Sequence, residues 1–230
     1  MKQLVTRGIV LARTNYQEAD RIVTLLTPDH GKLRVLARGV RKSKSKLAGG
    51  IELFSVSEIG FIRGKRELGT LTSSRLLKHY DTIVQDINRT MLGYELIKLL
   101  HRVTEDEPEA EYFQLLHELL EALDSPAIAI DLVRLWFYAQ LLRQAGHTPN
   151  LRTTAAGKAL EADQTYLFGY DDMSFGEHPS GTFLADHIKF LRLVFSGNPP
   201  STLQQVSGLE SLLPQILQLV QTILPAHIRT

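Results

Sequence analysis

The residues best suited to chemistry in this sequence are the cations between positions 34 and 46, a stretch that contains no acid. Apolar residues alternate with arginines in its first part, and serines separate lysines in its last part. Lys and Arg neutralise phosphates and release condensed counterions, so such a track favours salt-sensitive, weakly sequence-dependent binding to a nucleic-acid backbone. A solvated lysine-rich loop is the alternative interpretation. The candidate DNA-binding residues are Arg34, Arg38, Arg41, Lys42, Lys44 and Lys46.

Aromatic residues near this track are candidates for stacking on bases. Tyr16 lies in a predicted loop, 14–17, where its ring would be exposed. Phe54 and Phe61 lie in apolar segments, so we expect both to pack in the core. The sequence leaves open whether Tyr16 is a stacking residue or an ordinary surface tyrosine.

Signatures of catalysis are absent from the sequence. It contains no phosphate-binding GxxxxGKS/T or GxGxxG loop, no HExxH metal motif and no GxSxG nucleophile motif. Ser43 and Lys46 match SxxK, but they lie in the basic loop without the other parts of that active site. The chain has no cysteine, which excludes disulfides, thiolate zinc sites and cysteine nucleophiles. We therefore predict a protein that is not an enzyme and holds no cofactor or metal.

Charge is divided unevenly along the 230 residues, although the formal net charge is only +1. Residues 1–80 carry 16 Lys+Arg and 6 Asp+Glu, a balance of +10, whereas residues 81–230 carry 10 and 19, a balance of −9. This asymmetry predicts a basic part that meets a polyanion and an acidic part with another task. No apolar run approaches the roughly 18 residues of a membrane span, and we expect a soluble cytoplasmic protein.

The first 80 residues have the periodicity of β-strands. Short segments rich in Val, Ile, Leu and Thr alternate in character, and Pro28-Asp29-His30-Gly31 is a hairpin signal. Closely spaced strands favour a small barrel, because closure removes exposed edges. The predicted strands are 4–12, 20–27, 32–40, 53–63 and 67–78.

After Tyr80 the apolar residues recur three or four positions apart, which is typical of helices. The acidic stretch 105–109 is predicted to end one helix and open the next, with Pro108 in the first turn. The segment 127–145 is apolar on most sides, which favours a place in the core over an open groove for a partner. The predicted helices are 83–103, 110–123, 127–145, 182–195 and 208–223.

These patterns predict an α+β chain with a basic barrel at 1–80 and a helical domain at 81–230. The helical domain contains a long irregular stretch, 150–181, with several Gly and Pro residues. A segment of that length without clear periodicity usually carries a function or the remnant of one.

Several segments, in chain order, resemble the RecO family of bacterial recombination mediators. The resemblance is most specific over residues 8–55, where it rests on Gly8-Ile9-Val10-Leu11 and on the stretches 18–27, 30–32 and 37–47. It continues through the helical segments 94–100, 112–116 and 141–151, and it covers essentially the whole chain.

The resemblance implies an N-terminal OB-fold barrel followed by a helical domain. It also implies a DNA-binding protein of DNA repair and DNA recombination that acts after DNA damage and is found in the cytoplasm with the nucleoid. Such a protein binds single- and double-stranded DNA and anneals complementary strands. With RecR it helps to load RecA on DNA coated by single-strand-binding protein, whose acidic C-terminal tail binds the helical domain. The family's basic motif matches Arg38, Arg41, Lys42, Lys44 and Lys46.

The residues alone also allow an interaction adaptor, in which the basic half docks an acidic protein tail. One departure from the resembling family concerns zinc. Many relatives hold the metal with two pairs of cysteines, the first of which would fall at Thr153 and Ala156 here and the second between Phe175 and Gly181. Because none of these positions is cysteine, we predict that the stretch 150–181 is a degenerate, metal-free finger.

Overall fold

The computed structural model describes residues 2–64, 68–105 and 109–228. The chain divides into two compact units, Met1–Pro126 and Ala127–Thr230. Among the described residues, the first unit holds a closed barrel and three helices, and the second holds four helices and a two-stranded sheet. The predicted domain boundary at residue 80 follows the last barrel strand, whereas the first compact unit continues through the next three helices.

Five strands close the barrel in the order β1-β2-β3-β5-β4, and β1 pairs with both β2 and β4. Neighbouring strands are antiparallel except β3 and β5, which run parallel. This is the arrangement of an OB-fold. The predicted α+β chain with an N-terminal OB-fold barrel is therefore confirmed. The strands are β1 (Gln3–Tyr16), β2 (Asp20–Thr27), β3 (Gly31–Ala37), β4 (Ser55–Ile62) and β5 (Leu68–His79).

Alternation of side chains along the strands fills the barrel interior. In β3, Leu33, Val35 and Ala37 point inward and are buried, whereas Arg34 between them is exposed. The interior is closed by residues from all five strands and from the connection between β3 and β4. Its buried members are Val10, Val23, Leu25, Leu33, Val35, Ala37, Val40, Ile51, Ile59, Phe61 and Leu71.

The outer face of β1 and β2 is also apolar at one end. Ile9 and Leu26 lie opposite each other in the register and are buried, although neither belongs to the barrel interior. Helices α2 and α3 contact β1, and α3 also contacts β2. This second buried layer accounts for the inclusion of the helices in the first unit. The helices are α1 (Asp81–Gln85), α2 (Ile87–Val103) and α3 (Ala110–Asp124).

The predicted helix 83–103 is wrong in one respect, because Asp86 divides it into α1 and α2. Asp86 has an extended backbone, and its carboxylate accepts hydrogen bonds from the N–H groups of Asn88 and Arg89. An aspartate in this position is a favourable N-cap, so it starts a new helix. The predicted helix opening at Pro108 lies outside the described residues, and α3 is described from Ala110.

Gly93 allows α2 to approach the end of the β3–β4 connection. The Phe54 ring is buried beside it and packs edge-on against Tyr94, with ring centroids 5.2 Å apart. A Cβ atom at Gly93 would lie 2.6 Å from Cε1 of Phe54 and 3.5 Å from Cδ1 of Leu123. The close contact therefore requires glycine on the helix.

A polar group links the end of β5 to α3. Lys78 Nζ forms an ion pair with Glu121, and the Tyr80 hydroxyl donates a hydrogen bond to the same carboxylate at 3.3 Å. The hydrogen bond from Lys78 lowers the pKa of Glu121 below its ordinary value. Burial and the Glu121 charge raise the pKa of Tyr80, so its hydroxyl stays protonated and remains a donor.

The second unit is built around α4 (Ile130–Gln144), which contacts α5 (Ala185–Phe195), α6 (Pro200–Leu203) and α7 (Leu209–His227). Trp136 and Phe137 of α4 are buried, as are its leucines. The predicted core position of the segment 127–145 is therefore confirmed. Among the described residues, no helix combines the length and apolar character needed to cross a membrane.

The stretch 150–181 contains a hairpin of β6 (Tyr166–Gly169) and β7 (Ser174–Glu177). Phe175 lies at the centre of an aromatic cluster and makes edge-on contacts with Tyr166, Phe168 and Phe183 at centroid distances of 6.5, 5.0 and 5.3 Å. A small apolar core of its own therefore supports this part of the chain.

We predict that Gly93→Ala lowers the free energy of unfolding by about 1–3 kcal/mol, because the added methyl group collides with the Phe54 ring. Urea denaturation measures the change. Gly49→Ala is the matched control, since nothing lies within 4 Å of the Cβ atom it adds. An equal effect of the two substitutions would contradict the proposed close packing of α2.

A second prediction concerns pH and the Lys78–Glu121 pair. The pKa of Glu121 is lower in the folded chain than its ordinary value of 4.5, so the pair stabilises the fold above that pH and loses its effect as the pH falls further. Both side chains are nearly half exposed, so we expect a coupling energy of only about 0.2–1 kcal/mol. A double-mutant cycle with Lys78→Gln and Glu121→Gln measures it by urea denaturation. The coupling should be present at neutral pH and vanish in strong acid, and a coupling that is the same at both would refute this account.

Candidate nucleic-acid interface

The pairing of β1, β2 and β3 decides which side chains share the outer face of the barrel. Directly opposite residues on neighbouring strands point to the same face. Arg34 pairs with Thr24, which pairs with Ala12, while the inward residue Val35 pairs with Val23. Arg34 therefore shares its face with Thr24 and Ala12, on the side opposite the core.

A bulge in β1 sets the direction of Tyr16. Val10 pairs with Leu25 and points into the core, but the register shifts between Val10 and Ala12, so that Ala12 pairs with Thr24 on the outer face. An extra residue in one strand reverses the alternation beyond it. Tyr16, which pairs with Asp20, is consequently on the outer face with Ala12. The loop predicted at 14–17 is wrong at Tyr16, because β1 extends through this residue.

Arg34 lies on the outer face of β3, and Arg38 follows directly after the last residue of that strand. Both are exposed, and the four-residue separation places them about 13 Å apart along the strand direction. Lys32 precedes them on the same face, but its Nζ donates to the His101 carbonyl at 3.3 Å and is partly buried beside α2. The open part of the face therefore begins at Arg34.

The connection after β3 folds against the turn between β1 and β2. The N–H of Gly39 donates to Asp20 Oδ1 at 2.7 Å, and Gly39 has a φ of +61°, which favours glycine. The N–H of Arg41 donates to the Ala19 carbonyl at 2.9 Å. Arg41 Nη1 also lies 3.4 Å from the Gln17 carbonyl. These contacts hold Arg41 beside the β1–β2 turn.

The remaining cations, Lys42, Lys44 and Lys46, are exposed on successive turns of the same connection. The N–H of Lys42 donates to the Gly39 carbonyl, and the N–H of Ser45 donates to the Lys42 carbonyl, at 3.1 and 3.0 Å. The connection is fixed again beyond Lys46, because Leu47 packs against the barrel core and its carbonyl accepts from Ser74 Oγ at 2.8 Å. The lysines thus lie on a segment that is anchored at both ends.

The six candidate cations differ in their partners from three other basic residues of the barrel strands. Arg13, Arg75 and Lys78 form ion pairs with Glu52, Glu58 and Glu121. Within the described part of the chain, none of the six candidates forms an ion pair with a carboxylate. Their charge is therefore available to an external anion. Lys65 and Arg66, in the β4–β5 connection, lie outside the described residues.

Acidic charge in the helical half is concentrated in the part of the sequence that directly follows the barrel. Residues 81–126 carry 3 Lys+Arg and 11 Asp+Glu, a balance of −8, whereas residues 127–230 carry 7 and 8, a balance of −1. The first compact unit therefore combines the basic barrel with the acidic segment 81–126. The predicted acidic part, residues 81–230, is therefore not uniformly acidic.

The three aromatic candidates differ in burial, as the sequence predicts. Phe54 and Phe61 are buried, which confirms their predicted core positions, and Tyr16 is exposed. The sequence pattern does not predict the neutral part of this surface. Its residues form a row across the three strands, namely Thr14, Ile22 and Leu36. Only the strand register reveals this row, because its members are far apart in the sequence.

In the stretch 150–181, a backbone turn lies near each of the two places where relatives would carry a pair of cysteines. The N–H of Gly157 donates to the Thr154 carbonyl at 2.9 Å, and the N–H of Gly181 donates to the His178 carbonyl at 2.8 Å. Lys158 Nζ forms an ion pair with Glu177 on β7 at 2.8 Å. In the described residues, no three His, Asp or Glu side chains are placed to hold a metal ion together.

Comparison with known proteins places the chain among recombination proteins. The family model for the recombination protein O N terminal region matches residues 1–80, and the model for its C terminal region matches residues 84–229.

Individual relatives carry the name DNA repair protein RecO. The relative from Dehalococcoides mccartyi strain 195 is 38% identical over 151 residues, 65% of this chain and 59% of the relative. That from Roseiflexus sp. strain RS-1 is 38% identical over 164 residues, 71% of this chain and 57% of the relative. The aligned part thus spans less than two thirds of these relatives' length. With both regions of the family model matched over almost the full sequence, the chain belongs to the RecO family.

Proposed function

We propose that this chain is a DNA-binding protein of recombinational DNA repair, and that the outer face of β3 with the connection that follows it binds the sugar–phosphate backbone. The observation that carries the proposal is the placement of six exposed cations, without acidic partners in the described residues, on this part of an OB-fold barrel. OB-folds bind oligonucleotides on the face of strands 2 and 3 and on adjoining loops. The names of the relatives support a role in DNA repair.

The chemistry of the surface defines the kind of binding. Arg34, Arg38, Arg41 and the three lysines contact phosphates, which are common to every sequence and to single and double strands. Affinity then depends on the number of phosphates neutralised and decreases steeply with salt. Sequence preference is weak, since no base edge needs to be read.

A surface that grips phosphates leaves the Watson–Crick edges of the bases free. Two complementary strands held in this way are concentrated and partly neutralised, so they pair without an energy source such as ATP. The chain therefore acts by binding and annealing rather than by catalysis.

Family membership supports the wider part of the proposal. The barrel at 1–80 is the DNA-binding domain, and the helical part at 81–230 binds protein partners. With RecR, the chain helps to load RecA on DNA coated by single-strand-binding protein, whose acidic C-terminal tail docks on the helical part. This activity belongs to the cytoplasm, at the nucleoid.

We predict that replacing Arg41, Lys42 and Lys44 together with Ala weakens binding to a single-stranded oligonucleotide and reduces its salt dependence. The slope of the logarithm of the binding constant against the logarithm of the salt concentration should fall by about 2, because about 0.7 counterions are released per phosphate contact on single strands. Fluorescence anisotropy at several salt concentrations measures the slope.

The matched control replaces three exposed cations elsewhere with Ala, namely Lys98, Arg102 and Lys189. It removes the same formal charge from helices α2 and α5 and should leave the slope nearly unchanged. Equal slopes for the wild type and the barrel variant would refute the proposed interface. Complete displacement of the oligonucleotide by an acidic, aromatic-ended peptide, together with loss of the peptide's own affinity in the barrel variant, would instead favour an interaction adaptor whose basic half docks an acidic protein tail.

Annealing provides a separate prediction. The full chain should accelerate pairing of two complementary labelled oligonucleotides in the absence of ATP, and the barrel variant should be slower than the control variant. Fluorescence energy transfer between the two labels follows the reaction. Acceleration by the barrel variant equal to that of the wild type would contradict a role for these cations in annealing.

A further inference from the structure

Tyr16 differs from the other exposed aromatic residues of the described chain. The exposed aromatic residues in the described part of the chain are Tyr16, Tyr94 and Tyr170. Tyr94 packs against Phe54 and Tyr170 packs against Phe168. Within the described residues, the Tyr16 ring has no aromatic or cationic neighbour and its hydroxyl has no hydrogen-bond partner. A large ring that is 42% exposed and unpartnered is available to an external planar group.

The ring lies on the same face as the candidate cations. Tyr16 is the last residue of β1, on the outer face that Arg34 occupies on β3, and Arg38 directly follows the end of β3. One strand, β2, separates them, so the lateral distance is about 10 Å. The row of Thr14, Ile22 and Leu36 adjoins Tyr16 and offers a neutral surface next to the ring.

The turn after Tyr16 is held in a fixed conformation. Gln17 has a φ of +50°, a left-handed value that is unusual for a residue other than glycine. Its carbonyl accepts from Arg41, and the carbonyl of Ala19 accepts from the Arg41 N–H. Strained backbone at a surface site is often retained because it positions neighbouring groups. Here it fixes the end of β1 against the basic connection.

Local charge favours a base over a phosphate at Tyr16. Glu18 is exposed in the turn beside it, and Asp20 lies directly opposite it across the strand pair. The Asp20 carboxylate is held in place by the hydrogen bond that it accepts from the Gly39 N–H. The acids disfavour a phosphate at the ring itself but tolerate an uncharged base. Arg41, whose guanidinium lies 3.4 Å from the Gln17 carbonyl, and the other candidate cations attract the phosphates that flank such a base.

We propose that Tyr16 stacks on an unpaired base of a strand whose phosphates are held by the basic connection, so that this surface prefers single strands to duplexes. The inference rests on the proposed function and adds a contact that the interior of a DNA duplex cannot make, since neighbouring base pairs stack on both faces of each base. Stacking on an aromatic side chain is tolerant of sequence, because every base has a π-face.

The test compares two single-stranded probes of equal length, a thymidine oligonucleotide and an oligonucleotide of abasic tetrahydrofuran residues, with a duplex as the third probe. Tyr16→Ala should weaken binding to the thymidine strand by about 5-fold or more. It should leave binding to the abasic strand and the duplex within about 2-fold of the wild type. Tyr16→Phe should retain the affinity for the thymidine strand, because the ring remains.

Matched measurements separate the stacking contact from other effects. Tyr170→Ala removes an equally exposed ring from the second unit and should change none of the three affinities. Tyr16→Ala removes no charge, so its salt slope on the thymidine strand should equal that of the wild type. Urea denaturation of each variant confirms that it is folded.

The outcomes also separate this inference from the proposed function. If Tyr16→Ala binds the thymidine strand as the wild type does, while the barrel cation variant binds weakly, stacking is refuted and the interface stands. If Tyr16→Ala weakens binding to all three probes equally, Tyr16 has only a structural role and the inference is also refuted. If the cation variant has the wild-type salt slope, the proposed function fails regardless of Tyr16.

Discussion

The outer face of β1 and β2 is apolar at one end and polar at the other, and this gradient controls the arrangement of the first unit. At the apolar end, Ile9 and Leu26 are buried outside the barrel interior, and helices α2 and α3 contact these strands. Covering that end removes apolar surface from water, worth about 25 cal/mol for each Å². At the other end, Tyr16 and Arg34 stay exposed, and Ile22 and Leu36 between them are only partly buried. The candidate interface is thus the part of the OB-fold that hydrophobic burial leaves free.

Charge acts locally within this unit. Residues 81–126, with a balance of −8, share a compact unit with a barrel of +10, so net charge says little about attraction for DNA. Screening limits the range of exposed charges to about 10 Å at moderate salt. What matters is that the cations of the β3–β4 connection are unpaired in the described residues, whereas Lys78 is neutralised by Glu121 on α3. Pairing removes part of the basic charge from the surface and leaves the remainder concentrated around Arg38 to Lys46.

Much of the barrel could be predicted from alternation and turn chemistry, since Leu33, Val35 and Ala37 alternate with exposed or partly buried residues as the sequence indicates. The packing of the helical part was harder to predict from the sequence. Ile87 and Met91 fit the apolar period, yet they are 69% and 64% exposed, because Asp86 starts a new helix whose buried side carries other residues. Apolar residues that recur three or four positions apart predict a helix but not the element against which the helix packs. The position of α2 and α3 against the barrel therefore could not be predicted.

For the candidate site, too, the sequence predicts which residues matter but not how the strands that carry them pair. The six cations could be identified from composition, but the face on which they lie depends on pairing between strands that are distant in sequence. Uninterrupted alternation from Val10 would point Tyr16 into the core, and it is the bulge before Ala12 that turns Tyr16 outward and Arg13 toward Glu52 at the barrel end. Since no residue type identifies the bulge in advance, the sequence could suggest Tyr16 as an exposed ring without showing that it shares a face with Arg34. The register supplies that relation, and it makes a joint role of ring and cations physically reasonable.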